Sequence, residues 1–316
     1  MQLTSDADGL LAGLIAATAA LVEGHDSAHF GIAVSGGPDS MALLDLAMTA
    51  FPGRVAAITV DHGLRPEAAA EARAVALWCA RHTMPHTIAV PDDPVSGNVQ
   101  AWARAQRYRL IERWRVAGNI DWIMTAHHAD DQLETLLMRL NRGAGVGGLA
   151  GVRGRSGRVI RPLLGVRKAA LLAHVRARGL PHAEDPSNAD PRFDRASLRA
   201  ALGDVAWLDR EGAVRSAAAL AEAEAALEWT VEDLAKQRVL PTGDGWSLDP
   251  AGLPREYLRR LLLRMIACAE PEAKMPRGEA LDRAIATAAR GEQASLGNLL
   301  LKGGPMWVLT SAPPRR

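Results

Sequence analysis

The sequence turns on residues 29–44, HFGIAVSGGPDSMALL. Its first six residues, His29 to Val34, form the short apolar run expected of a buried strand. From Asp39 to Phe51 apolar residues recur at helical spacing. Between the two lies SGGPDS, Ser35 to Ser40. Its glycines let the backbone approach a ligand closely, and Pro38 suits a first helical turn. A strand, a glycine turn and a helix start aim amide donors and a positive helix end at one point. Ser35 and Ser40 add hydroxyls, and a phosphate fits there. The stretch lacks the Gly-Lys-Ser/Thr of a Walker A loop and the spacing of a dinucleotide fingerprint. The structural alternative is a tight turn with Asp39 opening the helix.

Working outward, three more short apolar runs read as strands: Arg54 to Val60, Pro85 to Val90 and Asp121 to Ala126. Helical patterns over Pro66 to Thr83 and Asn98 to Ala117 separate them, and Asp8 to Val22 reads as a preceding helix. The alternation predicts an α/β fold: a Rossmann-like parallel sheet with helices on both faces, followed by a smaller, mostly helical C-terminal domain. The domains are expected at 1–195 and 196–316, with a linker around Asp185 to Asp194, where EDPSNADPRFD concentrates Pro, Asn and Asp.

Ligands of an open parallel sheet sit beyond the carboxyl ends of its strands, and two further polar clusters fall there. VDHGLR, Val60 to Arg65, ends the second strand and places Asp61 and His62 where a ribose and base would lie; a glycine turn is the alternative. TAHHADDQLET, Thr125 to Thr135, ends the fourth. Asp130 and Glu134, like His127 and Asp131, are four apart and share a helix face. Acidic residues at a helix start can be caps. Opposite a phosphate loop, three carboxylates and a histidine could also bind a divalent ion or an amine.

Between Glu134 and Glu184 there is no Asp or Glu, while Arg139, Arg142, Arg153, Arg155, Arg158, Arg161, Arg167, Lys168, Arg176 and Arg178 all fall there. In a 316-residue chain of net charge +1, such a one-signed run points to a polyanion, against a flexible solvated loop. Gly143, Gly145, Gly147 and Gly148 would let backbone and phosphate approach. The 48% hydrophobic and 23% charged composition excludes a disordered or collagenous chain. Cys79 and Cys268 stand alone, which argues against a zinc ribbon, an iron–sulfur cluster or a disulfide scaffold. No run approaches the roughly 18 apolar residues of a membrane span, so a cytoplasmic protein with no membrane partner is expected.

Beyond residue 196 the pattern reads as helices over Ala213 to Gln237, Arg255 to Ala269 and Arg277 to Arg290, with a last strand at Met306 to Thr310. Trp207, Trp229 and Trp246 are either core or base-stacking residues.

SGGPDS resembles the PP-loop of ATP pyrophosphatases, which cleave ATP between the α- and β-phosphates. The ordered set SGGPDS, VDHGLR, ARAQRY (Ala103 to Tyr108), TAHHADDQLET, RGAGVGGLAG and EDPSN (Glu184 to Asn188) resembles the tRNA(Ile)-lysidine synthetases, in their compact form with one C-terminal domain. The resemblance covers about residues 29–200. It implies a ligase of the PP-loop ATPase type that uses ATP and Mg²⁺ and joins L-lysine to the wobble cytidine of the CAU-anticodon isoleucine tRNA. The product, lysidine, changes decoding from AUG to AUA. It also implies roles. Ser35, Gly36, Gly37, Pro38, Asp39, Ser40, Asp61 and His62 would hold ATP, with Asp39 also near Mg²⁺. Asp130, Asp131 and Glu134 would hold lysine or metal, and Arg104 and His127 would steady the adenylated base, while His128 packs or caps. Arg142, Arg153, Arg155, Arg158, Arg161, Arg167 and Lys168 would grip tRNA. A homodimer is compatible with all of this. The competing readings are a PP-loop tRNA thiolase, disfavoured by the absence of paired cysteines, and a nucleotide-sensing RNA binder without turnover.

Overall fold

The computed structural model describes residues 3–183, 194–202, 205, 208–272, 275–276 and 278–312. Two compact units divide the chain, Met1–Ala221 and Glu222–Arg316. The boundary expected at 195/196 falls inside α8 (Asp194–Leu202), whereas the first unit takes in α8 and the start of α9 (Arg210–Arg238), and an arginine from each reaches its acidic helix. The linker expected at Asp185–Asp194 lies outside the described residues as far as Asp194, where α8 begins.

In the first unit β1 (Phe30–Ala33), β2 (Val55–Val60), β3 (His86–Ala89) and β4 (Trp122–Met124) fall inside the four expected runs. With β5 (Arg155–Ser156) and β6 (Val159–Ile160) they make one sheet of order β3-β2-β1-β4-β6-β5, parallel except for β5. The chain steps outward from β1 to β3, then returns to place β4 on the other side of β1, with Phe30 opposite Trp122 and Ile32 opposite Met124. The reversal opens the crevice between β1 and β4, the place where such sheets bind ligands.

Helices cover both faces. α1 (Leu3–Leu21), α2 (Pro38–Ala50) and α7 (Lys168–Ala177) bury Leu14, Leu43, Leu44 and Leu171 with Phe30 and Ile32. On the other face, Ile111 of α4 (Val99–Ala117) meets Ile58 and Ile123. α4 packs so closely that a Cβ at Gly31 would come within 2.6 Å of the Trp114 ring. α3 (Ala68–Arg81), α5 (Ala129–Asn141) and α6 (Val146–Leu149) also belong to the unit, with α8 and the start of α9.

The second unit carries the expected helices as the remainder of α9, α10 (Arg255–Ala269) and α11 (Gly278–Ala289). It also holds an antiparallel sheet of order β7-β8-β11-β10-β9, formed by Val239–Thr242, Gly245–Leu248, Trp307–Ser311, Leu299–Lys302 and Gln293–Leu296. Only its β11 was expected. Leu261, Met265, Leu281, Ile285, Trp307 and Leu309 form the core. Among the described residues no helix is long and apolar enough to cross a membrane.

Candidate active site

The phosphate-loop geometry follows from its residues. Gly36 has φ +85°, a left-handed conformation that disfavours a Cβ, and Pro38 starts α2 with Gly37 as its cap. The Ser35 amide donates to Ser40 Oγ at 3.2 Å, and the Ser40 hydroxyl donates to the Gly37 carbonyl at 2.9 Å. Ser40, expected to donate to an anion, is 6% exposed and braces the loop from within. The amides at the start of α2 precede the first ladder bond, Met41 N–H to Gly37 O, and so are open to an anion. The Ala183 amide donates to the Gly36 carbonyl at 2.9 Å; EDPSN, residues 184–188, lies outside the described residues.

α5 leaves β4 with its first turn toward the loop. His128 caps it, its ring accepting from the Asp131 amide while Asp131 Oδ2 accepts from the His128 amide. His128 is buried, and its Nε2 lies 3.5 Å from both Asp39 Oδ2 and Asp131 Oδ2. Burial alone would lower its pKa. The hydrogen bond to Asp39 and the charges of Asp131, Asp39 and Asp130 outweigh that and hold it above the ordinary histidine value. Conversely, burial would raise Asp39, but the hydrogen bond and charge of His128, with Lys168 and Arg199 behind, hold it low. Asp39 Oδ1 is buried and has no hydrogen-bond partner among the described residues. His128 therefore caps, as expected, and also joins the phosphate loop to the acidic helix, which residue spacing could not show. His127 contacts Thr125, Nδ1 to Oγ1 at 2.9 Å.

The acidic trio meets cations that sequence reading did not pair with it. Arg199 of α8 grips both oxygens of buried Glu134, and its Nη2 is 3.6 Å from Asp131 Oδ1. Arg210 Nε lies 3.1 Å from Asp130 Oδ1, and the Lys168 amide donates to Asp130 Oδ2 at 2.8 Å. Asp130, Glu134, Lys168, Arg199 and Arg210 line a cavity of about 180 Å³. A cavity lined by both signs is suited to a small zwitterion.

Asp61 Oδ1 closes a turn by accepting from the Gly63 amide at 2.9 Å. The His62 ring faces Trp102 edge-on, centroids 6.1 Å apart, and both its nitrogens are buried without a partner among the described residues. Arg104 is exposed over the Tyr108 ring, 5.0 Å from its centroid.

The basic segment is a folded structure and not a loose loop. Gln132 of α5 bonds both the amide and carbonyl of Val152, and Arg139 donates to Gly148 and Gly151. Arg161, expected to grip tRNA, is 8% exposed and donates to the Arg153 carbonyl, so its guanidinium supports this fold from inside. Arg178 is likewise paired, with Asp45. Arg155 and Arg158 are exposed and stack over Trp122, 4.5 and 5.0 Å from its centroid; Arg142 and Arg167 are also exposed. Arg153 and Lys168 are half-buried. In the second unit Trp229 is 76% exposed and Trp246 packs on the core; Trp207 lies outside the described residues.

An anion-ready glycine turn at the switch point of a parallel sheet, faced by an acidic helix, defines a nucleotide-using PP-loop enzyme. The PP-loop domain family matches residues 13–206. The tRNA(Ile)-lysidine synthase of Zymomonas mobilis is 42% identical over 300 residues, 92% of this chain and 90% of that protein. That of Rhodopseudomonas palustris is 41% identical over 317 residues, 90% of this chain and 91% of its own. Among solved structures, the U34-tRNA thiolase NcsA from Methanococcus maripaludis with its 4Fe-4S cluster superposes with a TM-score of 0.52 at 18% identity, covering 62% of this chain and 73% of that one. This likeness concerns the fold alone. The chain belongs to the tRNA(Ile)-lysidine synthase family, within the PP-loop proteins.

Proposed function

We propose that this chain forms lysidine in the cytoplasm through the crevice between β1 and β4, in two displacements that share one site. In the first, the C2 oxygen of the wobble cytidine of the CAU-anticodon isoleucine tRNA attacks the α-phosphorus of ATP, and pyrophosphate leaves. In the second, a free amine of lysine attacks C2, the bond to the adenylated oxygen breaks, AMP departs and the amine gives up a proton. The oxygen must be esterified first because it is a poor leaving group by itself.

The chain's residues divide these tasks. The Ser35–Ser40 turn and the start of α2 hold the phosphates, with Asp61 and His62 beside the nucleoside. Asp39 Oδ1, which has no hydrogen-bond partner among the described residues, could hold a divalent ion, and Mg²⁺ bound there would offset phosphate charge. Asp130, Asp131 and Glu134 take the ammonium groups of lysine, while Lys168 and Arg210 suit its carboxylate. Arg104 and His127 steady the activated base. The observation that carries this reading is the mixed-sign cavity on the same helix turn that His128 ties to the phosphate loop. The exposed Arg142, Arg155, Arg158 and Arg167, with Arg153, present charge to the RNA.

Sulfur transfer fits less well. Cys79 is buried and its thiol is pushed up to about 11 by burial, far from the thiolate that such chemistry needs. The test is order of addition with ATP labelled on the α-phosphate. Labelled tRNA should accumulate without lysine and lose its label as AMP when lysine is added. Label on lysine or on the protein would overturn the sequence of steps.

A further inference from the structure

Asp45 sits in the middle of α2 with 2% exposure, a carboxylate inside an otherwise apolar helix face. His174 Nε2 donates to its Oδ2 at 2.8 Å, and Arg178 donates Nε to Oδ2 and Nη2 to Oδ1, both at 3.2 Å. Both partners come from the C-terminal end of α7. The opposite end of α7 is fastened to the acidic helix, where the Lys168 amide holds Asp130 Oδ2 and the Val166 carbonyl accepts from the Ala129 amide at 2.9 Å. Ten residues of α-helix span about 15 Å as a stiff rod. Apolar side chains would pack α2 on α7 without the desolvation cost of a buried carboxylate, whereas hydrogen bonds to both oxygens add direction to the contact. A carboxylate held on both oxygens permits one register.

We propose that Asp45, His174 and Arg178 form a positioning latch: they lock α7 to the helix that bears the phosphate loop, so that α7 sets where Asp130 stands for the lysine step. The inference rests on the lysine-binding reading of Asp130. The phosphate loop keeps its own internal bonds when the latch opens, whereas Asp130 loses the backing of α7. Damage should therefore fall on the second displacement and spare the first.

The experiment separates the half-reactions in His174→Leu, His174→Gln and Arg178→Ala proteins, at a temperature where each keeps the wild-type circular dichroism spectrum. In His174→Leu the KM for lysine should rise about tenfold or more, the usual cost of a small misplacement. Lysine-independent, tRNA-dependent pyrophosphate release should stay within about twofold of wild type. His174→Gln, which keeps a donor, should recover most of the lysine affinity. Arg178→Ala, whose side chain is half exposed, should fall between. Leu14→Ala, which cuts into the same core away from both ends of α7, controls for simple loosening and should leave the lysine KM alone. The latch is overturned if His174→Leu leaves that KM unmoved, if both half-reactions fall together, or if Leu14→Ala shifts it equally. A wild-type protein that adds no lysine to tRNA would instead overturn the functional reading.

Discussion

Nε2 of His128 lies 3.5 Å from Oδ2 of Asp39, so one buried imidazole joins the carboxylate of the phosphate loop to the first turn of the acidic helix. Neutral His128 can cap α5 through Nδ1, while the protonated ring faces Asp39, Asp130 and Asp131.

His128 is held above the ordinary value, so its contribution to stability is complete below about pH 6.5 and is lost as pH rises through the folded pKa. Asp39 is held low, so its contribution is present above about pH 4 and is lost as pH falls through its own folded pKa. In a histidine NMR titration, the resonance missing from a His128→Asn protein should titrate above a free histidine, and Asp39→Asn should move it down. A resonance unmoved by Asp39→Asn would break the pairing.

Asp39→Asn should lower pyrophosphate release by about 100-fold or more, the usual loss when a charge-organising group is removed from a phosphate site. Thermal stability should fall as well, because the substitution removes the charge that faces buried His128. Pyrophosphate assays and calorimetry on the same preparation check both halves.

Glu134→Gln should act on lysine and spare the first step, raising the lysine KM while lysine-independent pyrophosphate release persists. Glu134 is 3% exposed and bidentate with Arg199, whose side chain is a third exposed. Screening there reduces the cost of breaking a buried pair to about 2 kcal/mol, read as a lowered urea midpoint.

The arginines of the basic segment should separate into two groups. Replacing Arg142, Arg155, Arg158 and Arg167 by alanine should weaken tRNA binding and flatten its salt dependence, by about one unit of slope for each phosphate no longer neutralised. Arg161→Ala should leave the salt slope intact and cost about 1–3 kcal/mol of stability, because it supports the Arg153 carbonyl from inside. Filter binding across a salt series, with urea unfolding alongside, distinguishes them.

The first unit was largely legible because its signals are local. Buried parallel strands read as unbroken apolar runs, and HFGIAV and RVAAITV contain β1 and β2 almost to the residue. Acidic and glycine clusters at strand ends marked the site. The cations that meet the acids were not legible: Arg199 and Arg210 lie 65 and 80 positions beyond Glu134 and Asp130, and only the tertiary fold joins them. The second sheet was missed for another reason. VLPT, GWSL, QASL and LLLK are four-residue strands without a strict alternation, and LLLK carries as much helical as strand preference. Long-range antiparallel pairing decides their state. A run of one charge sign does not say which guanidinium turns inward, as that of Arg161 does.

Nucleoside analysis of the CAU-anticodon isoleucine tRNA after incubation with this protein, ATP and labelled lysine puts the whole account at risk. Label and the mass of lysine should appear at the wobble cytidine alone, with AMP and pyrophosphate released in equal amounts. Pyrophosphate released with no lysine on the tRNA, or sulfur in place of the C2 oxygen, would contradict it.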